Sequence, residues 1–249
     1  MPRSFKGRFF EVDFLRGCAI IMMLIYHTLF DLMFFGNLKM DLFSPFWRGY
    51  VIVGASIFIG LVGLSLTLSL AREKSTKNKP SFLKYLRRGL LILFYGFLIT
   101  LVTYLVVPDS YVRFGVLHCI GLSIILAYPL IERPWISLAL GIAVLVVGRF
   151  LDRQAFSFSF LLWLGFKPYP FQTLDYFPLF PWFGVVLLGI VAGNFFYPSG
   201  KRAFALREDP PFFVRGVAFL GRHSLTIYLL HQPVILVLLF ALRLIRFPL

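Results

Sequence analysis

The sequence predicts an all-α fold: a polytopic membrane helix bundle of about seven transmembrane helices, with its N-terminus in the cytoplasm and its C-terminus outside. Three observations carry that expectation. The 249 residues are 59% hydrophobic and 14% charged, with a mean hydropathy of +0.84, whereas soluble domains sit near half apolar and a quarter charged. Apolar segments of about 20 residues, the length a bilayer demands, recur along almost the whole chain. Lys and Arg gather in alternate connections, as the positive-inside rule requires of cytoplasmic loops.

Taken in order, the spans are Phe14 to Phe35, Phe46 to Leu70, Leu86 to Val107, Phe114 to Ile131, Trp135 to Phe150, Phe177 to Phe196 and Val217 to Ala241. The fourth and fifth are short and separated only by ERPW, which predicts a tight helical hairpin. In the second, Ser56, Gly60, Gly63 and Thr67 form a stripe of small residues suited to close helix packing, and VGASIFIG lacks the GxSG pattern of a serine nucleophile. Leu151 to Tyr176 is aromatic-rich and too broken by proline to span; it is expected on the outer interface as a short amphipathic or re-entrant cap.

Most of the 25 Lys and Arg fall on one side when the N-terminus, Ala71 to Arg88, Glu132 to Pro134 and Tyr197 to Arg222 are grouped. Arg3, Lys6, Arg8, Lys77, Lys79 and Arg207 belong to that side, which is therefore cytoplasmic. A net charge of +14 would suit nucleic acid, but no soluble domain remains to present it, so the excess belongs to topology or an anionic ligand. No cleavable signal peptide is expected, because the first apolar run is span-length and interrupted by Arg16 and His27. Cys18 and Cys119 fall in different spans near opposite faces, and no disulfide between them is expected.

The first span carries four ionisable residues, Asp13, Arg16, His27 and Asp31, and helical spacing puts them on one face. Asp13 and Arg16 form an i,i+3 pair at the cytoplasmic end. His27 lies roughly 16 Å beyond Arg16 along a helix, too deep to snorkel, and Asp31 follows one turn later. Charges at that depth cost several kcal/mol, so they face protein and pair or work. A carboxylate holding one imidazole nitrogen leaves the other free as base or nucleophile, so Asp31 is expected to orient His27. The alternative is a hydrogen-bonded interhelical histidine with a helix-end aspartate.

His118 in RFGVLHCIGLS, five residues after Arg113 at the outer start of its span, and His231 in HSLTIYLLHQP, with Ser224, Tyr228 and Gln232, bring polar groups to similar depths. These histidines are candidates for acceptor or oxyanion contacts. Asp175 in TLDYFPLFP is a third candidate, although an aspartate just before a proline-started helix also suits a cap. Lys84, Arg87 and Arg88 in SFLKYLRRGLL cluster at a helix N-terminus, where phosphates or anionic headgroups bind. The histidines and carboxylates are scattered without HxxxH or HExxH spacing, and no metal site is expected.

Four blocks, VDFLRGCAIIMMLIYHTLFDLMFFG, RFGVLHCIGLSIILAYPL, DYFPLFPWFGVVLLGIVAGNFFY and LGRHSLTIYLLHQPVIL, resemble bacterial and archaeal membrane proteins related to the catalytic domain of heparan-alpha-glucosaminide N-acetyltransferase. The likeness runs from Val12 to about Leu236 and implies one integral-membrane acyltransferase-like domain over residues 1–249. It implies a multi-pass protein of the cell membrane that takes an acyl group from cytoplasmic acetyl-CoA and passes it to a sugar or glycan on the other side. His27 matches the family's catalytic histidine, and Lys84, Arg87 and Arg88 loosely match a donor-linked basic group. The implied partners are acetyl-CoA, the glycan acceptor and the bilayer, with no nucleic acid and with a homo-oligomer left open. The acceptor itself does not carry over, since the surroundings of the histidine, YHTLFDL, differ from those of the lysosomal enzyme. A transporter or a lipid- or glycan-binding membrane protein is the alternative; inverted repeats would favour it, and none is visible.

Overall fold

The computed structural model describes residues 9–76, 81–206 and 209–246. Of the basic residues assigned to the cytoplasmic side, Arg3, Lys6, Arg8, Lys77, Lys79 and Arg207 lie outside them. Among the described residues eight α-helices run in chain order: α1 Phe10–Phe34, α2 Pro45–Ser75, α3 Phe82–Val106, α4 Val116–Ala127, α5 Pro134–Leu151, α6 Leu179–Phe196, α7 Phe212–Arg222 and α8 Ser224–Ala241. Among the described residues there is no strand, only the isolated bridges Phe114 to Tyr176 and Phe156 to Pro168. Among the described residues six helices, α1, α2, α3, α5, α6 and α8, are long and apolar enough to cross a membrane, and Val116–Leu130 is a shorter apolar stretch. The protein is a multi-pass helical membrane protein.

One boundary and one packing arrangement differ from the sequence reading. The last span, expected from Val217 to Ala241, is two helices that meet at His223, whose φ of −101° and ψ of 16° leave the helical region. The stretch ahead of the break is amphipathic, carries Arg215 and Arg222, and follows Pro210 and Pro211, so it forms a helix of its own; the apolar Ser224–Ala241 is the candidate span. The expected α4–α5 hairpin keeps its short connection, a 3₁₀ turn at Tyr128–Leu130. These helices nonetheless pack elsewhere, α4 on α3 and α5 on α6.

The chain divides into two compact units, one of residues up to Phe58 and from Leu206 onward, the other Ile59–Ala205. In the first, α1 packs along α7 and α8. The crossing of α1 and α7 is backbone against backbone. A Cβ at Gly17 would sit 2.0 Å from the Val217 carbonyl oxygen, and one at Gly221 only 1.8 Å from that of Asp13. Small residues bring helix backbones together where there is no water to drive burial of larger side chains.

In the second unit, α6 is central and buries Val186, Leu187 and Ile190 completely. The C-terminal half of α2 rests on it through the expected small-residue stripe: a Cβ at Gly63 would lie 1.9 Å from the Val186 carbonyl oxygen, Gly189 faces the Gly60 backbone, and Gly193 faces Thr67. The Leu151 to Tyr176 connection is not helical beyond one 3₁₀ turn at Leu162–Leu164. Instead it is tied to the α3–α4 connection, with the Leu174 amide donating to Ser110 and the Phe177 amide to Phe114. With so many prolines and rings it satisfies its backbone across the gap between helices rather than along itself. Both cysteines are free thiols.

Candidate functional site

His27, Asp31 and His231 come together within the first unit, from α1 and α8. The Nδ1 of His27 lies 2.9 Å from the Met23 carbonyl oxygen, one turn back on its own helix. A carbonyl can only accept, so Nδ1 carries the proton and Nε2 of the neutral ring is a lone pair. His231 repeats the arrangement, its Nδ1 2.6 Å from the Tyr228 oxygen. The two rings meet edge to face, with centroids 4.7 Å apart and planes at 86°. Each imidazole is thus fixed in one tautomer by its own backbone, with Nε2 unspent on that bond.

The expected orientation of His27 by Asp31 is not what forms. Among the described residues no hydrogen bond joins them. Asp31, 1% exposed, takes both its bonds from the Gln232 amide, at 2.8 and 3.0 Å. The His27 ring folds back along its own helix, the direction helical side chains take, so its Nδ1 is spent on the Met23 carbonyl one turn back rather than on Asp31 one turn ahead. Gln232 was legible as the only side-chain amide of the last span, and a buried carboxylate in an apolar segment must find a donor. The pairing itself was not legible.

Two buried acceptors beside this pair have no donor among the described residues: Nε2 of His231 and Oε1 of Gln232. Proline at position 233, inside the same helix, has no N–H to give the Leu229 carbonyl, which lacks that intrahelical donor. A wall of acceptors is completed by a ligand that brings hydrogens, such as a hydroxyl or an amine. At the other end of α1, Asp13 is 5% exposed and holds Arg16 at 3.1 Å, as expected; Arg222 of α7 joins it at 3.7 Å, a partner distant in sequence.

His118, Asp175, Lys84, Arg87 and Arg88 belong to the second unit. His118 is 1% exposed, and both ring nitrogens are engaged. Nδ1 accepts the Gly115 amide at 3.2 Å, and Nε2 sits 3.5 Å from the Thr100 hydroxyl, which itself donates to the Val112 carbonyl. Asp175 does cap a helix, but α4 rather than α6: its Oδ2 accepts the Val116 amide at 3.0 Å. The bonded connections bring this carboxylate against the start of α4, where orphan amides need an acceptor. Burial raises the Asp175 pKa to about 6, partly offset by the bonds from the Val116 and Tyr176 amides. Burial likewise pushes the Tyr176 phenol up.

In the basic cluster, Lys84 is committed. Its ammonium pairs with Glu73 of α2 and donates to Ser69 at 3.0 Å. Arg87 and Arg88, one turn further on, are exposed and make no hydrogen bond or ion pair among the described residues. Among the described residues, no three His, Cys, Asp or Glu side chains gather where they could hold a metal ion.

No curated protein and no solved structure matches the chain. One family model does, over residues 8–233 and therefore across both units: the catalytic domain described as heparan-alpha-glucosaminide N-acetyltransferase. The chain belongs to that family of membrane acyltransferase-like proteins.

Proposed function

We propose that the protein transfers an acetyl group from cytoplasmic acetyl-CoA to a hydroxyl or amine of a sugar or glycan on the outer side of the cell membrane, with His27 as the base. The observation that carries this reading is the pair of tautomer-locked imidazoles beside acceptors that lack a donor. An acceptor O–H or N–H supplies the missing hydrogen. His27 Nε2 removes the proton as the acceptor oxygen or nitrogen attacks the thioester carbonyl. The tetrahedral adduct then expels the thiolate of coenzyme A, which takes the proton back from the imidazolium. In the second form of the step, Nε2 attacks the thioester itself and expels the thiolate of coenzyme A; the acceptor then attacks the acyl-imidazole, Nε2 leaves, and the acceptor's proton passes to the thiolate. General-base help of this kind contributes roughly 10²–10⁴ in rate.

The other residues take roles that follow from their bonds. Neutral His231 offers only a lone pair at Nε2, which suits holding an acceptor hydroxyl rather than stabilising an oxyanion. Asp31 acts through Gln232 as a positioning group. His118 and Asp175 hold the start of α4, and both are assigned there rather than to the reacting atoms. Arg87 and Arg88 fit the phosphates of coenzyme A better than Lys84, whose charge Glu73 already meets.

The test is to incubate the purified protein with acetyl-labelled CoA and a panel of sugars, following label in the sugar, beside His27→Ala. Wild type transfers label and the variant falls by at least about a hundredfold. Acid quench before sugar is added traps label on the protein only if the acyl-imidazole forms. Transfer that is equal in the two proteins removes His27 from the chemistry.

A further inference from the structure

Arg113 stands on the α3–α4 connection in a setting the transfer step does not use. Its guanidinium carbon lies 5.2 Å from the centre of the Tyr111 ring and 5.5 Å from that of Phe171. Its Nε is buried and has no acceptor among the described residues, and no carboxylate there makes an ion pair with it. Asp175 accepts the Val116 amide, Asp152 pairs with Arg149 and Lys167, and the exposed Asp109 on the same connection makes no ion pair with Arg113 among the described residues.

The residues around Arg113 are held on every side. The Val112 amide donates to Thr103 and its carbonyl accepts from Thr100, at 3.0 and 2.7 Å. The Thr173 hydroxyl donates to Tyr111 at 2.8 Å, the Leu174 amide to Ser110 at 2.8 Å and the Phe177 amide to Phe114 at 2.9 Å. The loop is therefore fixed before any ligand arrives, and two rings orient the plane of the guanidinium. Contact with two rings holds the guanidinium in place but gives the buried Nε no acceptor. A planar fork with open donors matches an oxyanion that accepts two bonds at once.

We propose that Arg113 is a recognition site for the carboxylate or phosphate of an acidic sugar in the acceptor. The proposal rests on the acyltransferase reading for the acceptor's being a sugar, and it adds the acceptor's charge. A phospholipid headgroup offers the same oxyanion. The sugar is favoured because the unmet Nε is buried, so its partner must enter between the loops. Phe171 and Tyr176, their planes at 67° and centroids 4.9 Å apart, also give the C–H face of a pyranose aromatic surface to rest on.

The test needs no acetyl donor, so its failure is separate from failure of the transfer step. Saturation-transfer NMR on the whole protein in phosphatidylcholine nanodiscs compares glucuronic acid, galacturonic acid and glucose 6-phosphate with glucose and galactose. At least one acidic sugar binds tenfold or more tighter than its neutral counterpart. Arg113→Gln removes that preference, and Arg113→Lys, which keeps the charge but not the fork, removes most of it. A melting curve confirms that the variants fold; if they do not, the acid-to-neutral ratio of the wild type and its loss at high salt decide alone. Equal binding of acidic and neutral sugars by wild type overturns the proposal. So does an Arg113→Gln protein that folds and keeps the preference. Loss of co-purifying phosphatidylglycerol in Arg113→Gln with sugar binding unchanged assigns the site to headgroups and overturns it as well.

Discussion

Replacing Gln232 by Leu removes the two bonds that hold Asp31. The carboxylate is 1% exposed and its bonds are 2.8 and 3.0 Å long, and no other donor to it is present among the described residues. A hydrogen bond to a charged group contributes about 1.5–3 kcal/mol, and stranding a buried acceptor costs a similar amount. The expected loss is roughly 2–3 kcal/mol, a factor of about thirty or more in the folding equilibrium. Asp31→Leu strands only a neutral amide and costs less. The double variant Asp31→Leu, Gln232→Leu, with both polar groups gone, recovers stability relative to the sum of the singles. The assay is a double-mutant cycle on reversible unfolding in mixed micelles. Coupling above about 1 kcal/mol is the expected outcome, whereas additivity within about 0.5 kcal/mol, the behaviour of independent sites, refutes the assigned pairing.

Gly221→Ala drives a methyl into the Asp13 carbonyl and lowers the yield of folded protein, while Gly216→Ala, on the same helix with nothing within 4 Å, is neutral or stabilising; melting temperatures of the pair decide. Asp175 titrates at about 6 in the fold, above the usual carboxylate range, so the stability it contributes is present below pH 4 and lost as pH rises through about 6. Asp175→Asn, which still accepts the Val116 amide, should flatten that part of the stability profile; an unchanged slope contradicts the assignment. Changing Arg87 and Arg88 together to Gln should weaken CoA binding tenfold or more, and Lys84→Gln should matter less because Glu73 already neutralises it. Equal affinity in wild type and the Arg87, Arg88 variant returns those residues to anchoring the helix at the headgroups.

Spans were legible because they are set by apolar length, which composition records directly. The small-residue stripe Gly60, Gly63 and Thr67 was legible for the same reason: helical spacing fixes a face. The break at His223 was not, because nearly continuous apolar sequence hides the change from an amphipathic helix to an apolar one. Near neighbours in sequence, such as Asp13 and Arg16, could be paired in advance. Partners far along the chain could not: Gln232 with Asp31, Arg222 with Asp13, Glu73 with Lys84, and Asp175 with the start of α4. Three of these four reassign a charge that local spacing gave to another role. His27 was singled out by its depth, its place on one helix face with Asp31 and the resemblance, and what the sequence could not supply was the backbone carbonyl that fixes its tautomer.

The central claim is that the open Nε2 of His27 takes the acceptor's proton. Single-turnover transfer from acetyl-labelled CoA, measured in His27→Ala with and without added imidazole, tests it most directly. Transfer is expected to fall at least about a hundredfold in the variant and to be partly restored by imidazole, with His118→Gln affecting stability more than rate. Wild-type rates in His27→Ala, with no response to imidazole, would contradict it.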